Sequence, residues 1–135
     1  MNTSDEQRLK DIVIAIFNAG VQAVDPQVCL QRHLRLVGDR LGIGREEYSL
    51  TKVEKLCVVG IGKASASMMK AVEEILGDRI DHGLVVTKYG HGTELQFGRI
   101  LEAGHPIPDE NGVDATASLL DLVGRAEPKD MVLCL

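Results

Sequence analysis

Residues 56–65 read Leu-Cys-Val-Val-Gly-Ile-Gly-Lys-Ala-Ser (LCVVGIGKAS), and the fold is decided here. Leu56 to Val59 is a short continuous apolar run closed by Gly60, the pattern of a strand buried on both faces. A helix then begins around Lys63 to Ser67, carries Met68, Met69, Val72, Ile75 and Leu76 inward and stops at Gly77. The alternation continues: Gly83 to Thr87 (GLVVT) reads as a second strand, Arg99 to Ala103 (RILEA) as a third, Val113 to Arg125 as a helix and Met131 to Leu135 (MVLCL) as a fourth strand. Strand, helix, strand predicts an α/β fold, a parallel sheet with helices on both faces, Rossmann-like and incomplete. Residues 88–98 hold three glycines and little apolar periodicity, so no crossover helix is predicted between the second and third strands, and the geometry of that connection stays open.

Upstream of the sheet, two helices are expected. Leu9, Ile12, Val13, Ile16, Phe17, Gly20 and Val24 recur at helical spacing over about residues 5–24, and Ser4 with Gln7 has the form of a capping box. Asp25-Pro26 starts a second helix whose one face carries Leu30, Leu34, Val37 and Leu41. Gly42, Gly44 and the polar stretch to Lys55 then read as a loop with room for an edge segment. This front part is expected to pack on the sheet, which makes residues 1–135 one domain. A buried parallel strand normally hands the chain to a ligand-contacting loop, so a chain stopping on Leu135 is expected to be a fragment of a larger α/β domain, a natural C-terminal strand at the sheet's edge being the competing reading.

Composition narrows the function. Fifteen Lys and Arg against 20 Asp and Glu leave a net charge of −5, which argues against nucleic acid or an anionic membrane as partner. With two Phe, two Tyr and no Trp, there are few platforms for stacking bases. Cys29, Cys57 and Cys134 are odd in number and far apart, which opposes a disulfide framework and fits a reducing compartment. The start is polar and the apolar run from Ile12 to Phe17 is too short for a membrane span or a signal peptide, so the expected location is cytoplasmic.

Three clusters could carry chemistry. In Gly60-Ile61-Gly62-Lys63-Ala64-Ser65, two glycines allow a sharp turn and close approach of a ligand, and a helix N-terminus beside Lys63 suits an anion. A plain strand-to-helix turn with a solvated lysine is the competing reading. A P-loop would need Gly at Cys57 and Ser or Thr at Ala64, and the dinucleotide fingerprint has Ser65 at its third glycine, with Thr87 and Lys88 where a ribose-binding acid belongs. The second cluster is Thr87-Lys88-Tyr89-Gly90-His91-Gly92, which a parallel sheet places at the same carboxyl edge, either completing an anion pocket or forming a solvated loop. The third, Glu102 to Asp109 (EAGHPIPD), is a proline-stiffened turn in which His105 either binds substrate or pins the turn and Asp109 is expected to cap a helix. His33, His82, His91 and His105 show no metal-ligand spacing, and Ser65 and Ser67 lack a nucleophile elbow, capping being the simpler role for Ser65.

The order LCVVGIGKASASMMKAVEEILG, GLVVTKYGHG, ILEAGHPIPDENGVDATASLLDLV, DMVLCL resembles the N-terminal region of the glycerate 2-kinase family, whose complete members end in a MOFRL domain. The resemblance implies ATP- and Mg²⁺-dependent phosphorylation of D-glycerate to 2-phosphoglycerate, with Lys63 as the family's active-site lysine. It also implies that the metal ligands, an arginine opposing Lys63 and most of the nucleotide site lie beyond Leu135, that the fragment alone is inactive, and that the complete protein could be a homodimer. Gly60, Gly62 and Ser65 are then expected at the phosphate or substrate, with Lys88, His91 and His105 lining the cleft; no metal ligand is assigned. Two alternatives stay open: a nicotinamide-dependent hydroxypyruvate reductase domain, a label some members carry, and a non-enzymatic anion-binding module.

Overall fold

The computed structural model describes residues 3–135. Its centre is a four-stranded sheet in the order β6-β5-β4-β7, built from β4 (Leu56–Ile61), β5 (His82–Lys88), β6 (Gly98–Ala103) and β7 (Met131–Cys134). Every pair in it is parallel, as expected. Alternation along the strands divides the core between two faces. Val58 and Val85 meet Met69, Val72 and Leu76 of α3 (Ser65–Leu76) on one. Val59, Leu84 and Val86 meet Ala115 and Leu119 of α4 (Glu110–Gly124) on the other. Burial on both sides is why Leu56–Gly60 shows no polar alternation.

The last part of the connection between β5 and β6 is held by one carboxylate. Glu73, buried at 9 % exposure on α3, accepts hydrogen bonds from the backbone N–H groups of Gln96 (2.9 Å), Phe97 (2.7 Å) and Gly98 (2.7 Å). The segment from Tyr89 to Phe97 therefore reaches β6 without a helix of its own, the backbone donors at its end satisfied by a side chain.

The front of the chain departs from expectation. α1 (Thr3–Ala23) and α2 (Pro26–His33) form, with Asp25 capping α2 through the N–H groups of Gln27 and Val28. The second helix ends at His33, however, and Leu34, Val37 and Leu41 belong to strands. β1 (Leu34–Val37), β2 (Arg40–Ile43) and β3 (Glu46–Ser49) make an antiparallel meander, not a helix end followed by a loop. The reason is turn chemistry: Gly38-Asp39 and Gly44-Arg45 are two-residue connections, each with glycine first at positive φ (58° and 60°), as a II′-type hairpin requires. Leu34 and Leu41 enter the α3-side core, where the meander and α2 pack against α3.

The expected capping box is also absent. Ser4 lies inside α1, and the Gln7 amide donates to Asp11 Oδ1 at 2.9 Å. Nor does α1 pack on the sheet: residues 4–23 are exposed along its whole length. Among the described residues no single helix is long and apolar enough to cross a membrane.

Candidate functional site

β4 leads by α3 to β5 on one side, whereas α4 carries the chain back to β7 on the other side of β4. The order in which strands are added to the sheet reverses between β4 and β7, which run parallel, and the crevice outside the carboxyl ends of such strands is where open α/β sheets bind ligands. The Gly60–Ser65 turn stands at that point.

Its residues divide the work differently from the sequence expectation. Gly60 makes room for protein: a Cβ there would lie 3.0 Å from Val85 Cγ1, 3.1 Å from Ser65 Cβ and 3.2 Å from Leu135 Cβ. It is the close-packing glycine of the helix–strand contact. Gly62 faces open space instead, at φ +133°, a conformation that an L side chain rarely adopts. Its N–H donates to Val86 O at 2.9 Å, which tethers the turn to β5 and leaves its other side open.

Ser65 is the first residue of α3 and is buried, with its hydroxyl 2.8 Å from Gly62 O and 2.9 Å from Val86 O. That hydroxyl points inward and caps no amide; the N-cap position is Ala64, which has no side-chain cap bond. The first-turn N–H groups of Ala66 and Ser67 accordingly have no side-chain acceptor. Lys63 stands exposed beside them.

The other expected residues share this edge. Lys88, half-buried, ends β5 next to β4, and His91 is exposed in the turn closed by its N–H to Lys88 O at 3.1 Å. His105 is exposed beyond the end of β6, with a cis bond to Pro106. Lys63, Lys88, His91 and His105 thus sit on the loops after three adjacent strands. The two lysine ammonium groups among them can hold an anion, but none of these groups is placed by a hydrogen bond from its own side chain.

One arrangement that sequence reading missed lies between the second and third loops. Tyr89 Oη donates to Asp109 Oδ2 at 2.6 Å and accepts from Asn111 Nδ2 at 2.7 Å, while Asp109 Oδ1 accepts from the N–H groups of Gly104 and Gly112, both at 3.0 Å. Asp109 caps α4, as expected. The hydrogen bond from Tyr89, followed by the Gly104 N–H, holds the Asp109 carboxyl below its ordinary range, and the same bond to Asp109 pushes the Tyr89 phenol up. A tyrosine at a strand end 20 residues before a helix cap was the only signal available. Glu102, on β6, accepts from the Gly92 N–H at 2.9 Å and so ties the second loop down.

Another hollow lies elsewhere. A groove of about 670 Å³ opens at the amino ends of the strands, between Cys57, His82, Arg99 and the Asp121–Arg125 pair of α4. Burial, with Asp130 and Asp81 nearby, pushes the Cys57 thiol up, away from the thiolate a nucleophile needs. The carboxyl edge is the candidate site because loops after parallel strands, not those before them, converge on a switch point. Among the described residues no group of three His, Cys, Asp or Glu side chains could hold a metal ion.

Comparison with known proteins agrees with the fold. D-glycerate 2-kinase of Thermotoga maritima is 35 % identical over 132 residues, 97 % of this chain and 28 % of the relative. A putative hydroxypyruvate reductase of Agrobacterium vitis is 41 % identical over 78 residues, 58 % of this chain and 20 % of the relative. The crystal structure of a protein from Pyrococcus horikoshii OT3 superposes with a TM-score of 0.81 at 31 % identity, over 93 % of this chain and 28 % of that one. The chain thus spans less than a third of the length of each. The family model described as a domain of unknown function, DUF4147, matches residues 12–135, and the chain belongs to that family.

Proposed function

We propose that this chain forms the amino-terminal part of a glycerate 2-kinase and contributes Lys63 to its active site. The observation that carries the reading is Lys63 itself, exposed on an open glycine turn at the switch point of a parallel sheet. In the reaction the 2-hydroxyl oxygen of D-glycerate bonds to the γ-phosphorus of ATP, the bond to the β–γ bridging oxygen breaks, ADP leaves and the hydroxyl proton passes to solvent or a base. Such a transfer depends on positioning and on neutralising charge at the migrating group. The Lys63 ammonium supplies that charge, while Gly62 admits the oxyanion to the first turn of α3 and Lys88, His91 and His105 line the cleft. Gly60 and Ser65 act one step back, by fixing the turn.

Mg²⁺ bound with ATP would offset phosphate charge, but the described residues do not form a divalent-ion site and no step is assigned to it through them. On this reading the metal ligands, the opposing arginine and the MOFRL domain would be supplied by other parts of the complete enzyme, and the 135 residues alone are expected to be inactive. The complete enzyme is proposed to act in the cytoplasm on small molecules, as a homodimer, without nucleic acid or membrane.

A hydroxypyruvate reductase is the second reading, and the label on the Agrobacterium relative favours it. Against it stand Ser65, whose hydroxyl is engaged inside the turn, and the want of an acid at the end of β5, where Thr87 is buried and Lys88 follows. An anion-binding module without catalysis is the third. The three are separated by one set of assays on a protein of the relatives' length: ATP, Mg²⁺ and D-glycerate with phosphorus NMR of the product, then NADH or NADPH with hydroxypyruvate. Phosphorylation at the 2-hydroxyl supports the kinase; nicotinamide oxidation, or phosphate and ATP binding without turnover, rejects it.

A further inference from the structure

Asp109 does more than cap α4. A cap needs one acceptor oxygen, which serine or asparagine supplies as well. Here Oδ1 takes the N–H of Gly112 in the first turn and also that of Gly104, so it closes the turn from Gly104 to Asp109 in which His105 stands. Gly104 belongs to the arrangement. A Cβ there would lie 2.5 Å from Ile107 O and 3.0 Å from Asp109 Oδ2, so only glycine lets the carboxylate come this close. Oδ2 serves the neighbouring loop instead: it receives the Tyr89 phenol at 2.6 Å, and Asn111 Nδ2 donates to the same phenol oxygen at 2.7 Å.

The loop after β5 is tied to β6 at two more points. Tyr89 N–H donates to Ala103 O at 3.2 Å, and Gly92 N–H to Glu102 Oε1 at 2.9 Å. Lys88 therefore ends a paired strand, His91 lies between two anchored residues and His105 lies inside a closed turn. Tyr89 itself adds little to the core, being 49 % exposed and part of neither hydrophobic cluster. A hydrogen bond between groups so open to water contributes modestly to stability, and its main consequence is geometric.

Resting on the kinase reading, we infer that Tyr89 is a positioning residue, which through Asp109 holds the loop of Lys88 and His91 at a fixed distance from the turn of His105 so that all three grip one substrate oxyanion. The Lys88 ammonium and the ring N–H groups of the two histidines meet an oxyanion that is present before reaction, the carboxylate of D-glycerate or a phosphate of ATP. Contacts already made in the ground state set KM, whereas Lys63, which meets charge on the migrating group, acts on kcat. Tyr89 thus governs binding and not the transfer itself.

Steady-state kinetics of Tyr89→Phe with ATP, Mg²⁺ and D-glycerate, in a protein of the relatives' length, test this role. The substitution keeps the ring and removes only the hydroxyl. The KM of one substrate is expected to rise about 10- to 100-fold, as binding groups move by an ångström or so, with kcat within about threefold of wild type. Whichever KM rises identifies the oxyanion. Asp109→Asn keeps an acceptor for Gly104 and Gly112 and offers an amide N–H to the phenol oxygen, so it is expected to stay near wild type, while Asp109→Ala raises the same KM as Tyr89→Phe. Tyr89→Phe decides alone if the uncapped Asp109→Ala fails to fold. Tyr48→Phe, on β3, is the control and moves neither constant. In an active enzyme, unchanged KM values in Tyr89→Phe overturn the inference and leave the kinase reading standing. So does a fall in kcat at constant KM that follows a loss of thermal stability, the mark of a merely structural role. A wild type without turnover overturns the kinase reading, and the positioning role falls with it.

Discussion

Replacing Glu73 tests how the β5–β6 connection is held. The carboxylate accepts from three backbone N–H groups, with Phe97 and Gly98 on Oε1 and Gln96 on Oε2. In Glu73→Gln the two bonds to Oε1 survive as neutral ones, each weaker by about 0.5 kcal/mol, while the new amide NH₂ faces the Gln96 N–H, donor against donor. Leaving that partly buried donor unmet costs about 1–3 kcal/mol, for a total of roughly 2–4 kcal/mol. Glu73→Ala strands all three donors and is expected to cost more, about 3–5 kcal/mol, with partial relief from entering water. Urea unfolding measures both. Amide exchange gives the local signature: Gln96, Phe97 and Gly98 should lose protection before the strand core does. Stability within 0.5 kcal/mol of the parent in both variants, or a milder effect of Ala than of Gln, would refute the reasoning.

Gly83→Ala would drive a methyl into the Met69 side chain and to 2.8 Å from the Gly98 Cα, so a loss of about 1–3 kcal/mol is expected by urea unfolding, with Gly124→Ala, which meets nothing, as the neutral control. Absorbance titration of Tyr89 in a Tyr48→Phe background should give a phenol pKa above its ordinary 10.0, falling back toward it in Asp109→Asn. The stabilising effect of this single bond has two limits. It is present above the ordinary carboxylate value of 3.8 and lost as pH falls through the lowered Asp109 pKa; it is present below 10.0 and lost as pH rises through the raised Tyr89 pKa. A Tyr89 titration unmoved by Asp109→Asn would remove the bond from the account.

What the sequence made legible was set by local periodicity. Strands buried on both faces and helices with one apolar stripe announce themselves in any window of ten residues, so β4, α3, β5, β6, α4 and β7 were all found within a few residues of their ends. Leu34, Val37 and Leu41 were misread because hairpin alternation across two-residue turns places apolar residues at intervals that also suit a helix. The glycines at 38 and 44 were the discriminating signal. The β5–β6 crossing was illegible in principle, since its donors are met by Glu73, some twenty-five residues away. The candidate site was half legible. Spacing located the turn and its lysine but could not distinguish Gly60, which yields space to Ser65, from Gly62, which opens outward, and Tyr89–Asp109 required the third dimension.

The central claim, that Lys63 neutralises charge on the transferring phosphoryl group, is tested most directly by Lys63→Ala in a protein of the relatives' length, assayed with ATP, Mg²⁺ and D-glycerate. The account predicts a fall in kcat of about 10²–10³-fold with the fold unchanged, the scale on which removing one charge-stabilising donor acts. Undiminished turnover in that variant would contradict it.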